Sequence, residues 1–249
     1  MSTAKSIAVA GTARGRRAAE PEHADRGAAA RRQLLTHATR IFSLKGYAGA
    51  STREICDAAG VNVASIHYYF GDKEGLYRAV LLEPIDRFTR ALEGFDDPSL
   101  PLEQALRTLL EPFVSTSDDA AHDRAVMRLH LREMLEPGPV FREVVERSIV
   151  PQHEALVRML ARHVGASSPD EALHQLAFAV IAMAHDYCMS REFMNLLVPG
   201  VFRHADAEER ILERLVGYGV ALIRHEASLR AARAPRGGAS RRARSGPRT

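Results

Sequence analysis

The sequence predicts an all-α protein, an N-terminal helix-turn-helix head followed by an all-helical body. Three observations predict it. The stretch Ser51 to Lys73, STREICDAAGVNVASIHYYFGDK, reads as a helix, a tight turn and a second short helix. On either side, apolar residues recur at three- and four-residue spacing, the period of one helix face. Glycine and proline fall between those stripes, where one helix must stop and the next begin.

Taken in order, residues 1–24 are rich in Ala, Gly, Ser and Arg without apolar period and read as a disordered basic arm. Arg14, Arg16 and Arg17 there are either a solvated terminus or a group that meets phosphates or a minor groove. Arg26 to Lys45 reads as a helix with the stripe Leu35, Ala38, Ile41 and Phe42, ended by Gly46. The next helix has Ser51 as cap and Glu54 three residues on, the reciprocal capping-box spacing. Gly60 ends it, since glycine tolerates the left-handed backbone of a helix exit. Asn62 caps the following helix, Val63 to Phe70, and Gly71 and Asp72 break it.

That short helix is oddly furnished. Ile66 and Phe70 share one face, with Val63 near it. The other face carries Ala64, Ser65, His67 and Tyr68, where a solvated helix usually holds Glu, Lys or Gln. Small and aromatic polar groups of this kind contact base edges, thymine methyls and phosphates. Taken locally, the pattern also fits a helical hairpin with no nucleic-acid role.

The run TREICDAAGVNVASIHYYFGDKEGLYRAVL resembles the DNA-binding signature of the TetR family of bacterial repressors, over residues 31–82. The resemblance implies a three-helix DNA-binding head, an all-α ligand-binding and dimerisation body, and a homodimer on a palindromic operator. Thr52, Tyr69 and Lys73 match positions that hold phosphates in that family. Cys56 and Ala64 depart mildly from its usual small residues. Ser65, His67 and Tyr68 are then the groove-facing candidates, beside Val63 and Ala64, and Arg53 is placed to reach a guanine edge. The segment Arg132 to Leu160 resembles the body of the YbiH/CecR-like branch of the family.

Downstream, Lys73 to Leu92 reads as a long helix containing Pro84, followed by helices at Leu100–Val114, Ala120–Leu135 and Phe141–Val164, with Pro151 inside the last. Pro169–Leu197 and Glu208–Leu229 complete the body. Within the final helix, VGYGVALI is apolar on all sides and predicts burial all round. Gly217 and Gly219 would admit a second backbone, so the expected seam is the last two helices of two subunits. The domain boundaries expected are 1–24, 25–75 for the head, 76–232 for the body, and 233–249 for an Arg-rich tail.

No catalytic signature, P-loop or dinucleotide fingerprint is present, and no cofactor or metal is expected. Polar groups in apolar surroundings, His130, Glu133 and His185, read either as satisfied core residues or as anchors of an effector pocket with Phe113, Met127 and Met134. The function expected is a repressor that binds a DNA operator and is released by a small-molecule effector. The alternatives are a small α-helical enzyme using His130, Glu133 and His185, or an adaptor that binds only protein.

The net charge is +3, but seven arginines and no acid lie between Arg230 and Thr249, so the rest carries −4. A mildly acidic body with a basic tail argues against a protein coated all over by nucleic acid. No apolar run reaches the roughly 18 residues of a membrane span, and no signal-peptide core opens the chain, so a cytoplasmic, nucleoid-associated location is expected without a membrane partner. Cys56 and Cys188 form no CxxC pair and read as reduced thiols.

Overall fold

The computed structural model describes residues 19–115 and 119–233. The basic arm, with Arg14, Arg16 and Arg17, and the tail beyond Arg233 lie outside the described residues. Among those described there are helices and no strands, as expected of an all-α chain.

The head begins with α1 (Ala19–Gly49), α2 (Thr52–Ala59), α3 (Ala64–Phe70) and α4 (Lys73–Ala91). Gly46 leaves helical geometry (φ 69, ψ 177), so the last turn of α1 is offset from the rest. After α4 come α5 (Leu102–Val114), α6 (Ala120–Leu135), α7 (Pro139–Val144), α8 (Val150–Val164), α9 (Glu171–Met189), α10 (Arg191–Leu197) and α11 (Ala207–Arg233).

Two long helices expected from the period are interrupted. Between α7 and α8 the turn Val145–Ile149 is π-helical. Pro151 follows it, offers no N–H to the carbonyl one turn back, and crowds that carbonyl with its ring, so the chain widens there. The helix expected over Pro169–Leu197 stops at Ser190, which has left helical geometry (φ −116, ψ 18). Its hydroxyl donates to Asp186 Oδ1 at 2.6 Å, a local bond that competes with the helix. Arg191 then pins the start of α10: its guanidinium lies 4.1 Å from the Phe202 ring centroid and donates to the Val114 carbonyl and to Glu208.

The chain divides into two compact units that are discontinuous in sequence. The first holds the described residues of 1–87 and 116–148, the second those of 88–115 and 149–249. The break expected at residue 76 therefore falls inside α4, and α6 and α7 join the head. In the first unit, Leu34 and Phe42 of α1, Ile55 and Cys56 of α2, Ile66 of α3 and Leu76 and Leu81 of α4 form one core with Leu129, Phe141 and Val144. Burial holds the Cys56 thiol above its ordinary pKa, which keeps it protonated and inert.

In the second unit, α5, α8, α9 and α11 enclose a separate core around Leu106, Leu110, Leu156, Leu160, Val180 and Ile223. The stretch read as apolar all round is two-sided here: Gly219, Val220 and Ile223 are buried, while Gly217, Tyr218 and Ala221 are exposed. Gly219 thus serves packing within its own chain. A Cβ built on it would lie 3.1 Å from Leu106 Cδ1, whereas one on Gly217 meets nothing within 4 Å. The close approach expected between two subunits is at this residue an approach of α11 to α5.

Gly219→Arg should accordingly unfold the second unit, because it forces a charge against the fully buried Leu106. The loss should be well above the ~1 kcal/mol typical of a point change. Chemical denaturation checks it: a variant with wild-type stability that differs only in subunit association would restore Gly219 to a subunit seam.

Candidate nucleic-acid interface

The head is assembled by a series of local caps. Ser51 is extended (φ −109, ψ 136) and its Oγ accepts from the Arg53 N–H at 3.2 Å. The reciprocal half of the expected capping box is missing, because Lys45 of α1 claims Glu54 in an ion pair at 2.6 Å. Gly60 is left-handed (φ 67, ψ 30), its N–H donating to the Asp57 carbonyl and that of Val61 to Cys56. This paired exit satisfies the last carbonyls of α2 and turns the chain. Asn62 Oδ1 then accepts from Ala64 N at 2.9 Å, which starts α3 one residue later than expected and leaves Val63 as its flanking residue.

On α3, Ile66 is 1% exposed and Tyr68 81% exposed. Val63, Ala64 and His67 are exposed too, and Ser65 is half-buried. His67 Nδ1 lies 2.7 Å from the Gly71 carbonyl. A carbonyl only accepts, so Nδ1 carries the proton, and the Nε2 of a neutral ring presents an acceptor outward. Tyr69 turns the other way: half-buried, its hydroxyl reaches 3.3 Å from a Cβ built on Gly27 of α1. It contacts Tyr68 edge-on at 4.8 Å, and Arg31 stacks over the neighbouring Phe70 at 5.3 Å.

At the start of α4, Asp72 Oδ1 accepts from Gly75 N at 2.8 Å. Lys73 Nζ sits 4.6 Å from the Tyr47 ring centroid, over the face of an aromatic that packs on Tyr77. Thr52 is half-buried at the first position of α2, and Arg53 is exposed beside it. The expected DNA-contacting residues thus lie at the start of α2, along α3 and at the start of α4. The residue that sequence reasoning missed is Gly75. A Cβ there would stand 1.9 Å from the Phe70 carbonyl oxygen, so only glycine lets the end of α3 dock on the first turn of α4. Its signal in the sequence is a lone glycine inside a helical period.

Two family models match the chain. Residues 34–80 match bacterial regulatory proteins of the tetR family, and residues 101–218 match the C-terminal domain of the HTH-type transcriptional dual regulator CecR. The chain belongs to the TetR family. CecR of Shigella flexneri is 29% identical over 184 residues, 69% of this chain and 81% of that protein. Two solved structures share the fold: a transcriptional regulator of Pseudomonas aeruginosa PAO1, and FadR of Bacillus subtilis in complex with stearoyl-CoA. The first is 20% identical with a TM-score of 0.61, over 86% of this chain and 98% of its own. FadR is 15% identical with a TM-score of 0.52, over 79% and 97%. This TetR-family chain is a DNA-binding transcriptional regulator, and its relatives carry the names of regulators rather than enzymes.

The residues expected to line an effector pocket divide between the two units. Met127, His130, Glu133 and Met134 fall in the first, Phe113 and His185 in the second. Glu133 is buried and fully engaged: it accepts from the Tyr77 hydroxyl at 2.5 Å and from Gly138 N at 3.0 Å. Burial, then the neighbouring carboxylate, pushes the Tyr77 phenol well above its ordinary range. His130 Nδ1 lies 2.9 Å from the Val126 carbonyl, and the Leu81 backbone also bears on the buried ring. Burial also lowers its pKa and keeps the ring neutral. Met127 is half-buried, and Met134 is 52% exposed, so a larger side chain at Met134 fills no enclosed space. In the second unit, Phe113 meets Phe88 edge-on at 4.7 Å and the His185 ring at 6.3 Å. Among the described residues no cluster of His, Cys, Asp and Glu has the makings of a metal site, and no helix is long and apolar enough to cross a membrane.

Gly75→Ala tests the docking of α3. The added methyl must push the Phe70 carbonyl aside, at a cost of about 1–3 kcal/mol. The expected outcome is a lower melting temperature together with weaker DNA binding. An alanine variant as stable as the parent would show that the α3–α4 junction has slack.

Proposed function

We propose that this regulator is a repressor: a homodimer that occupies a palindromic operator and lets go when a small apolar or amphipathic effector binds. The observation that carries the reading is the outward face of α3. Tyr68, at 81% exposure, and the exposed Val63, Ala64 and His67 turn toward solvent the kinds of group that read base edges and methyls. Thr52, Tyr69 and Lys73 supply the phosphate contacts around it, and Arg53 and Ser65 flank it. Occupying promoter DNA needs no second partner, so repression is the simplest act for this architecture.

Assembly through the last two long helices is supported by what their outer faces hold. Phe178 on α9 is 63% exposed and Tyr218 on α11 is 53% exposed, an apolar surface that a second copy would cover. A two-fold pair of heads one or more helical turns apart, about 34 Å each, calls for a palindromic site. The effector part rests on the aromatic group Phe88, Phe113 and His185. The stearoyl-CoA bound to FadR, a protein of the same fold, supports an amphipathic ligand.

Gel shifts with DNA from upstream of the gene test the reading. Tyr68→Ala should cost about 1–3 kcal/mol and change base preference. Lys73→Ala should weaken all sequences alike and flatten the salt slope by about one unit. Wild-type protein that binds this DNA and scrambled DNA equally would end the specific-repressor reading. Light scattering at micromolar concentration should return twice the 27.4 kDa protomer. A ligand that binds one dimer geometry better by about 1–3 kcal/mol should weaken operator binding roughly 5- to 150-fold.

A further inference from the structure

A cleft of about 220 Å³ opens in the first unit between α1, α4 and α6. Its floor is apolar: Leu35 and Val80 are buried, with Pro84 beside them. Its rim is cationic. Arg32 comes from α1, Arg87 from α4 and His122 from α6, one basic group from each helix. The acid on the rim, Glu83, is already neutralised by Arg31 at 2.7 Å. Neither Arg32, Arg87 nor His122 has an ion-pair partner among the described residues. The Thr36 hydroxyl adds a further donor to the rim.

We propose that this cleft is a binding site for a small organic anion, a carboxylate or phosphate monoester whose compact apolar body lies on Leu35, Val80 and Pro84. A planar carboxylate suits a guanidinium fork, and Arg32 and Arg87 line the same cleft from two helices. The size of the space sets the class. A cavity of roughly 150 Å³ accommodates benzene, so this one holds a molecule of about ten non-hydrogen atoms. A long acyl chain does not fit inside it. The site is separate from Phe113 and His185, which belong to the other unit, and from the outer face of α3. Because the anion would bridge α1 to α4, occupancy stiffens the helix whose first residue is Lys73. Its effect on DNA binding rests on the proposed regulator function; the binding itself does not.

The test is calorimetric titration of the full chain with benzoate, alongside inorganic phosphate and benzyl alcohol. Benzoate should bind saturably, with a dissociation constant on the order of 1 mM or below for so small a ligand. Phosphate should bind at least threefold more weakly, since it leaves the apolar floor uncovered, and benzyl alcohol should not bind. Arg32→Gln and Arg87→Gln should each weaken benzoate at least tenfold. Arg158→Gln, an exposed arginine on α8, should leave it unchanged. Both cleft arginines are exposed, and circular dichroism melts confirm that their variants fold. No saturation up to 20 mM, equal binding by the variants, or equal loss in Arg158→Gln would overturn the site. If benzoate fails to bind while Arg87→Gln lowers DNA affinity and the salt slope, the cleft is a DNA-phosphate contact and the proposal is wrong. Benzoate binding without any change in operator affinity would retain the site and remove its regulatory effect.

Discussion

A seven-residue helix cannot hold its shape alone in water, and α3 is such a helix. Its order is borrowed. Ile66 is driven into a core built by α1, α2 and α4, and Gly75 lets the Phe70 carbonyl settle on α4. The outward face of α3 follows from that docking, because Tyr68 and His67 face outward only while Ile66 faces in. The Nδ1 bond of His67 to Gly71 shows the same economy: the residue that ends α3 also orients a side chain on its outer face.

The head was legible in the sequence because its signals are local. Gly60, Asn62 and Gly71 each act within a few residues, and the structure finds the turn where those residues put it. The capping box failed for a reason no local window contains: Lys45, nine residues away along the chain, takes Glu54. Gly219 failed in the same way. Period and composition said that a small residue admits a backbone or side chain, but whether that neighbour is a second subunit or Leu106 of the same chain is a tertiary fact. The all-α class and the succession of helices were readable. The two interruptions, at the π-turn before Pro151 and at Ser190, were signalled only by single residues within strong periods.

The candidate effector residues show a sharper limit. His130, Glu133 and His185 drew notice as polar groups in apolar helices, but burial alone does not separate a ligand anchor from a structural tie. Glu133 is a tie, holding Tyr77 of α4 and the Gly138 amide that begins the turn into α7. His130 is held by the Val126 carbonyl of its own helix, again a tie within the chain. The cleft beneath Arg32 and Arg87 went unnoticed in the sequence, since its lining comes from three helices far apart in the chain and none of its members is unusual alone.

The head's core is closed by Leu129, Phe141 and Val144, residues that arrive only after α5 has been made. On the ribosome, then, the helix-turn-helix end emerges first but cannot finish folding first. Its nascent helices must wait while some sixty further residues are translated, several seconds at ordinary elongation rates of roughly 5–20 residues per second. The same interleaving limits modular engineering. A head excised at residue 75 or 87 and grafted to another body would carry Tyr77 without Glu133, or lose both, and would expose the apolar surface that α6 and α7 cover. Exchange of the proposed DNA specificity is therefore better attempted by changing side chains on α3 than by cutting the chain.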